Sequence, residues 1–166
     1  VLFRSGTGGF SDVKRGDWYA PYVAFAKRYG IANGYLDGTF RPEQPVSRAE
    51  LVKLIASYFT VEGGTSPFPD VPDGHWAAEV VSFAAEEGWV SGYPDGTFRP
   101  DAPVSRAEAV KILNHALDRR AGERAAALPF TDVEKGHWAC DEIREAAVSH
   151  IYRKSGEGET WLTYER

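Results

Sequence analysis

The chain has 166 residues, of which 43% are hydrophobic and 26% are charged, as in ordinary globular proteins. Its formal net charge of −5 argues against nucleic acid or an anionic membrane as the main partner, because phosphate binding needs clustered lysine and arginine. A single cysteine, Cys140, excludes an intrachain disulfide. No apolar run approaches the roughly 20 residues that a membrane-spanning helix needs, so we expect no membrane insertion.

A two-part motif occurs twice, at a constant offset of 58 residues. The first copy is GYLDGTFRP at 34–42 with VSRAE at 46–50, and the second is GYPDGTFRP at 92–100 with VSRAE at 104–108. A motif kept in register over such a span indicates internal repeats. We therefore expect a flexible N-terminal segment and three repeat units, the last one partial, at 1–9, 10–62, 68–120 and 130–166.

Each unit opens with a phenylalanine and a valine on either side of Xaa-Asp, followed by a tryptophan and then by apolar residues at helical spacing. The tryptophans are Trp18, Trp76 and Trp138, and their place beside an apolar pattern favours core packing. We expect the first helices of the units near residues 19–29, 77–87 and 139–149.

The nine-residue motif that follows predicts a tight turn, because its Asp-Gly pair suits positive φ at Gly38 and Gly96. Asp37 and Asp95 are interpreted as turn residues rather than metal ligands, since the loop lacks the alternating acids and closing glutamate of an EF-hand.

The Ser-Arg-Ala-Glu sequences read as capping boxes, in which the serine and the glutamate exchange hydrogen bonds with each other's backbone N–H. The capping residues are Ser47, Glu50, Ser105 and Glu108. Second helices are expected near 48–59 and 106–120. Their predicted apolar faces are formed by Leu51, Leu54, Ile55 and Tyr58, and by Val110, Leu113, Ala116 and Leu117.

The third unit departs from this pattern. Residues 153–161 are predicted to be a loop that lacks Asp-Gly-Thr-Phe, and Leu162-Thr163 resembles the Val-Ser that precedes the earlier second helices. Tyr164 stands where arginine is expected, and Arg166 where glutamate is expected. We expect the third second-helix to be absent, which leaves apolar faces uncovered and favours a homo-oligomer or completion by further sequence.

Taken together, Phe-Xaa-Asp-Val, the tryptophan, the nine-residue motif and Ser-Arg-Ala-Glu resemble the S-layer homology domain, a module that attaches bacterial surface proteins to cell-wall polysaccharide. Residues 10–120 match as two full repeats, and 130–150 as the first half of a third. The resemblance implies an all-α fold of helix–loop–helix repeats around a pseudo-threefold central bundle. It also implies export to the cell surface, although no signal peptide is visible and the sequence starts at Val1 without a methionine.

The same resemblance implies grooves that bind a secondary cell wall polymer, with the signature arginine on the carboxylate of a pyruvylated terminal sugar. Carried over, this arginine is Arg48 in the first repeat and Arg106 in the second. Both begin a helix, where a cation opposes the macrodipole at a cost of roughly 0.3–1 kcal/mol. The repeated choice favours an anion site, and the alternative is an arginine that is solvated or paired with a neighbouring acid.

Aromatic residues near these arginines are candidates for stacking on a sugar ring. They are Tyr35, Tyr93 and Trp89, for which core or loop packing is an equal alternative. Trp89 has no counterpart in the first unit, where Ile31 stands, so we expect the second site to bind more strongly.

The sequence contains no Cys/His metal spacing, no phosphate-binding glycine loop and no nucleophile motif, so we expect no metal, cofactor or catalysis. The leading hypothesis is a non-catalytic anchor that binds an acidic, pyruvylated wall polysaccharide. One rival is a protein-interaction or assembly module whose arginines form intersubunit salt bridges. Another is the attachment fragment of a larger surface enzyme.

Overall fold

The fold is taken from a computed structural model, which describes residues 8–119, 127–155 and 158–164. Its elements are α1 (Ala20–Arg28), α2 (Arg48–Ala56), α3 (Ala78–Glu86), α4 (Arg106–Ala116), α5 (Cys140–Ala147), β1 (His150–Ser155) and β2 (Gly158–Tyr164). The expectation of a mainly helical protein is confirmed. Every helix begins within one residue of its predicted start and ends one to four residues early.

In the first two units, the aspartate of the opening segment binds the loop that leads into the second helix. Asp12 accepts hydrogen bonds from the backbone N–H groups of Phe40 at 2.8 Å and Arg41 at 2.7 Å. Asp70 makes the matching bonds in unit 2, at 2.9 and 2.7 Å. These bonds close each unit on itself, a role that the sequence analysis did not assign to either aspartate.

The Asp-Gly turn forms as predicted. Gly38 has a φ of 80° and its N–H donates to the Tyr35 carbonyl at 3.1 Å. Asp37 Oδ1 accepts from the N–H of Thr39 at 3.0 Å and from its hydroxyl at 2.6 Å, and Asp37 Oδ2 pairs with Arg41 at 2.8 Å. The Thr39 hydroxyl, followed by Arg41, lowers the pKa of Asp37 to about 2. Its interpretation as a turn residue is confirmed, and unit 2 repeats the turn.

Both predicted capping boxes are present at the starts of α2 and α4. Ser47 Oγ accepts from the N–H of Glu50 at 3.3 Å, while Glu50 Oε2 accepts from the N–H of Ser47 at 2.8 Å. Ser105 and Glu108 form the same pair of bonds at 3.2 and 2.9 Å. The caps fix the position of the residue directly after each serine, which is the signature arginine.

The main core lies between α2 and unit 2 rather than within unit 1. Its largest buried contributors are Val52, Ile55, Phe68, Val71, Val81, Trp89, Phe98 and Ile112. The first half of unit 1 has a separate small cluster made of Phe10, Val13, Ala20 and Val23. The second helix of unit 1 therefore contributes its apolar face to the next unit.

The predicted apolar faces of the second helices are wrong in detail. On α2 the buried residues include Ala49, Val52, Ile55 and Ala56, whereas Tyr58 is 70% exposed. The buried stripe is rotated because α2 packs against both α3 and α4 at once. On α4, Leu113 and Leu117 of the predicted face are exposed while Ala116 is buried, so only part of that face is uncovered.

Unit 3 contains a β-hairpin that the sequence analysis did not predict. Strand β1 pairs antiparallel with β2, from His150 opposite Tyr164 to Ser155 opposite Gly158. The prediction of a loop over 153–161 is wrong, and Leu162-Thr163 lies in β2 instead of starting a helix. The β-branched and aromatic residues of this segment suit a strand, and the side-chain contacts that hold it come from a distant part of the chain.

Those contacts converge on Glu145, a carboxylate at the end of α5 that is 1% exposed. Glu145 accepts a hydrogen bond from Trp161 Nε1 at 3.0 Å and pairs with Arg119 at 2.8 Å. The His150 ring lies 3.1 Å from the same carboxylate and stacks on the Trp161 ring at 3.8 Å. A buried acid that pairs with a cation and accepts from the indole N–H of Trp161 thus ties the hairpin to α5.

Candidate functional site

The signature arginine of unit 1 is buried at the junction with unit 2. Arg48 is 6% exposed, and its Nε donates to the Phe98 carbonyl at 3.0 Å. Its Nη1 pairs with Glu108 Oε1 at 3.1 Å, and its guanidinium lies 4.8 Å from the centroid of the Tyr93 ring. Arg48 is therefore committed to a neighbouring acid, the alternative that the sequence left open, and it joins the two repeats.

The pocket around this arginine stabilises charge on Glu108. Burial opposes ionisation of the carboxyl group, but the hydrogen bonds from Tyr93 and Ser105 and the charge of Arg48 outweigh it and lower the pKa of Glu108. Tyr93 Oη donates to Glu108 at 2.7 Å. Burial, followed by this bond, raises the pKa of Tyr93. The residues around Arg48 thus hold the Glu108 carboxylate in its ionised form, which suits it to accept hydrogen bonds from a guanidinium.

Unit 1 contains the same acceptor without its arginine. Tyr35 Oη donates to Glu50 Oε1 at 2.6 Å, and this bond raises the pKa of Tyr35. Burial works against ionisation of Glu50, but the bonds from Tyr35 and Ser47 lower its pKa. Within the described part of the chain, the cation over the Tyr35 ring is Arg41, at 4.0 Å, and no second arginine lies there.

The signature arginine of unit 2 has a different environment from that of unit 1. Arg106 is exposed, and among the described residues it forms neither a hydrogen bond nor an ion pair. Arg106 is the first residue of α4, and the backbone N–H groups at this end of a helix favour negative charge. Of the two predicted carboxylate-binding arginines, only Arg106 is accessible in this structure.

The aromatic candidates are arranged differently from what the sequence suggested. Trp89 is 4% exposed and packs in the core against Phe59 at 4.8 Å and Phe83 at 5.2 Å, so it offers no face to a sugar. We expected the second site to bind more strongly because of Trp89, and this reason is wrong because Trp89 is buried. Tyr35 and Tyr93 are half-buried, and contact of either ring with a sugar stays a prediction.

The tryptophans that open the units, which we expected in the core, are exposed. Trp18 is 80%, Trp76 53% and Trp138 60% exposed. Each lies in the turn two residues before a helix begins, and in units 2 and 3 the next residue, Ala77 or Ala139, is the one that is buried. The indoles therefore lie on the surface.

Two of these indoles lie beside a lysine from the preceding unit. Lys53 Nζ on α2 lies 5.1 Å from the centroid of the Trp76 ring, and Lys111 Nζ on α4 lies 5.9 Å from that of Trp138. The two lysines are 58 residues apart, which is the repeat offset, so the sequence alone could have shown that they occupy equivalent positions in units 1 and 2. Neither pair was predicted from the sequence, because each joins one unit's second helix to the tryptophan of the next unit, and no pattern within one unit indicates such a contact.

No group of three or more His, Cys, Asp or Glu side chains within the described ranges is arranged to hold a metal ion. Of the helices that the structure describes, none combines the length and apolar character needed to cross a membrane.

Tandem helix–loop–helix units with capped, arginine-bearing second helices and exposed tryptophans define a repeat module. The family model of the S-layer homology domain matches residues 9–52 and 67–110. The chain belongs to the S-layer homology domain family.

Three relatives show which proteins this chain is similar to. The chain is 35% identical over 156 residues to the cellulosome-anchoring protein of Acetivibrio thermocellus, covering 90% of this chain and 35% of that protein. It is 34% identical over 165 residues to cell surface glycoprotein 1 of the same organism, covering 92% and 7%. It is 40% identical over 116 residues to the S-layer protein of Bacillus licheniformis, covering 64% and 13%. The chain thus spans about a third or less of the length of each of these relatives.

Proposed function

We propose that this domain attaches a protein to the bacterial cell surface by binding an acidic cell-wall polysaccharide, without catalysing a reaction. The observation that carries the proposal is the repeated pairing of an exposed tryptophan with a lysine of the preceding unit, Trp76 with Lys53 and Trp138 with Lys111. An indole suits the apolar side of a sugar ring, and an ammonium group beside it suits a carboxylate on that sugar. The names of the relatives support a place at the cell surface.

Arg106 is the arginine that we propose for the carboxylate of a pyruvylated terminal sugar. It is exposed, it carries no partner among the described residues, and the N-terminal end of α4 favours an anion at the same place. Arg48 instead has a positioning role, because it holds Glu108, and Glu108 caps the helix on which Arg106 stands. An arrangement of the repeats around a pseudo-threefold central bundle, with the third repeat incomplete, remains our proposal for the fold.

Calorimetry with purified, pyruvylated wall polymer tests the tryptophan–lysine pairs. Trp76→Ala and Trp138→Ala should each weaken binding at least about tenfold, which corresponds to about 1.4 kcal/mol. Trp18→Ala is the matched control, because Trp18 is the most exposed of the three and no lysine lies over its ring among the described residues. Equal loss in all three variants, or none in any, would overturn the role of the pairs.

The same titration tests the arginine. Charge-assisted hydrogen bonds contribute roughly 1.5–3 kcal/mol each, so Arg106→Ala should weaken binding about ten- to a hundredfold. Polymer whose ketal has been removed should bind the wild type as weakly as intact polymer binds the variant. Arg15→Ala, another exposed arginine, serves as the control. Unchanged affinity of Arg106→Ala for the intact polymer would exclude the carboxylate site.

One observation favours a second function, that of a protein-assembly module. Arg48 shows that the signature arginine of this chain can serve a protein carboxylate, Glu108, instead of a ligand. The third reading, an attachment fragment of a larger surface enzyme, is compatible with the proposed anchor, since it concerns the protein to which the domain is joined.

A further inference from the structure

The opening turns of units 2 and 3 each place a histidine beside the exposed tryptophan. His75 precedes Trp76, and the centroids of the two rings lie 5.5 Å apart at an interplanar angle of 31°. His137 precedes Trp138 in the same arrangement, at 5.6 Å and 29°. Both imidazoles are half-buried and so remain partly open to solvent. Each histidine is thus the direct neighbour of an indole that we propose to hold a sugar.

A backbone hydrogen bond fixes the tautomer of both histidines. Nδ1 of His75 accepts from the N–H of Ala77, and Nδ1 of His137 accepts from the N–H of Ala139, both at 3.1 Å. A backbone N–H can only donate, so the neutral ring in this bond carries its proton on Nε2. Among the described residues, neither Nε2 atom has a hydrogen-bond partner. Each ring therefore offers an unused N–H donor beside the indole.

Unit 1 lacks this donor. Asp17 stands at the matching position, and its Oδ2 accepts from the N–H of Lys14 at 2.7 Å. A carboxylate accepts hydrogen bonds but has no N–H to donate. The histidines occur in the same two units whose tryptophan has a lysine of the preceding unit over its ring, Lys53 or Lys111. In units 2 and 3 an indole, an ammonium group and an imidazole N–H thus occur together.

We propose that His75 and His137 are specificity-determining residues, each of which donates a hydrogen bond from Nε2 to a hydroxyl oxygen of the sugar on the neighbouring indole. This inference rests on the proposed anchoring function and adds a second polar contact to the same sites. The ammonium group of the lysine suits the carboxylate of the sugar, whereas an uncharged N–H suits an uncharged hydroxyl. A site that hydrogen-bonds a hydroxyl rejects a sugar without it, because the donor would be left unpaired.

Calorimetry with purified, pyruvylated wall polymer tests the double variant His75→Asn, His137→Asn. Asparagine keeps an oxygen near the place of Nδ1 to accept from Ala77 or Ala139, but its side chain does not extend as far as Nε2. Binding should weaken about three- to tenfold, which corresponds to one lost uncharged hydrogen bond at each site. The same ratio should hold for polymer without its ketal. A loss confined to the intact polymer would assign the N–H to the carboxylate and overturn the hydroxyl contact.

Two controls separate ligand contact from a structural role. Asp17→Asn places the same side chain at the matching position of unit 1 and should bind polymer like the wild type. The double variant His75→Ala, His137→Ala removes the acceptor of the backbone N–H and should melt at a lower temperature than the wild type, whereas the asparagine variant should melt close to it. Wild-type affinity in the asparagine variant would mean that the histidines only hold the turn, and would overturn the proposal.

The double variant Trp76→Ala, Trp138→Ala distinguishes failure of this inference from failure of the anchoring function. If the tryptophan variant loses affinity and the asparagine variant does not, the role of the histidines is wrong and the anchoring sites stand. If neither variant loses affinity, the anchoring sites themselves are wrong, and the inference fails with them. Loss in both, with the smaller loss in the asparagine variant, is the expected result.

Discussion

At the scale of single residues, Arg48 is a buried cation whose charge is matched inside the protein. Its bonds to Phe98 and Glu108 join parts of the chain 50 and 60 residues away. Burying a charge is costly unless it is paired and hydrogen-bonded, and here both conditions are met. Arg106 has the same sequence neighbours but remains in solvent, so the two arginines should respond differently to substitution.

We predict that Arg48→Ala lowers the free energy of unfolding by about 2–3 kcal/mol. Removing one partner of a fully buried ion pair costs about 3–5 kcal/mol, and the Glu108 side chain is still 21% exposed, which lessens the cost. Arg106→Ala should change stability by less than about 0.5 kcal/mol, as for ordinary surface positions. Urea unfolding measures both. Equal effects would mean that the Arg48 contacts contribute nothing to stability.

The carboxylates of the first two units should make stability depend on acid pH. The folded protein lowers the pKa values of six of them, which are Asp12, Asp37, Glu50, Asp70, Asp95 and Glu108. A lowered folded-state pKa adds stability above the unfolded value of about 4, and that stability is lost as the pH falls toward the folded value. We therefore expect a melting temperature that is steady from pH 7 to 5 and falls between about pH 4 and 2.

Asp70→Asn provides the control for this pH dependence. Although burial opposes ionisation of Asp70, the N–H groups of Phe98 and Arg99 lower its pKa. The variant should be less stable at pH 7, and its melting temperature should fall less steeply below pH 4. The same slope in both proteins would show that Asp70 does not contribute to the acid transition.

At the scale of the elements, the loop before each second helix contains a position that only glycine can occupy. Gly92 has a φ of 72°, and a Cβ there would lie 2.5 Å from Phe68 Cε1 and 2.9 Å from the Thr97 carbonyl oxygen. Gly96 has a similar φ of 81° but open space around it. A side chain at Gly96 would therefore add backbone strain alone, whereas one at Gly92 would add backbone strain and steric overlap.

We expect Gly96→Ala to cost about 1–2 kcal/mol, the strain of a left-handed residue with a Cβ. Gly92→Ala should cost at least about 4 kcal/mol, because the overlap with Phe68 and the Thr97 carbonyl adds to the same strain. Thermal unfolding followed by circular dichroism measures the difference. Similar losses in both variants would argue against the close packing of Phe68 on the loop.

The cap of α4 offers a test that separates folding from binding. Ser105→Ala should lower stability by about 1 kcal/mol, because the N–H of Glu108 loses its acceptor. Ser105→Thr keeps a capping hydroxyl and should stay close to the wild type. Polymer affinity should fall only slightly in Ser105→Ala and far less than in Arg106→Ala. A binding loss as large as that of Arg106→Ala would assign the serine a direct ligand contact.

At the scale of the whole molecule, the anchoring role and the rival assembly role of Arg106 exclude each other. A guanidinium that holds a sugar carboxylate cannot also pair with a carboxylate of another protein molecule. Soluble polymer should therefore dissociate any assembly that Arg106 holds, and light scattering at a fixed protein concentration should show the mass falling as pyruvylated polymer is added. Polymer without its ketal should leave the mass unchanged. An assembly that persists at saturating intact polymer would show that only one of the two partners uses Arg106.

The amino-acid sequence was sufficient to predict the repeat offset, the starts of the five helices that the structure describes, both capping boxes and the Asp-Gly turns. The offset follows from comparing the two motif copies. The other features depend on residues within about four positions of one another, as with Ser47 and Glu50, so a local pattern predicts them. Membership of the S-layer homology domain family followed from the same repeated motifs.

The tertiary structure alone decided which copy of a repeated residue is buried. Identical Ser-Arg-Ala-Glu sequences place Arg48 in a paired, buried position and Arg106 in solvent, because the unit 2 loop covers the start of α2 and no described segment covers the start of α4. Trp76, which we expected in the core, is exposed, and Trp89, for which core packing was one of two equal alternatives, is buried, since burial depends on contacts between units. The hairpin of unit 3 likewise depends on Glu145, a partner 16 residues away from Trp161. Such contacts join distant residues, and no local periodicity records them.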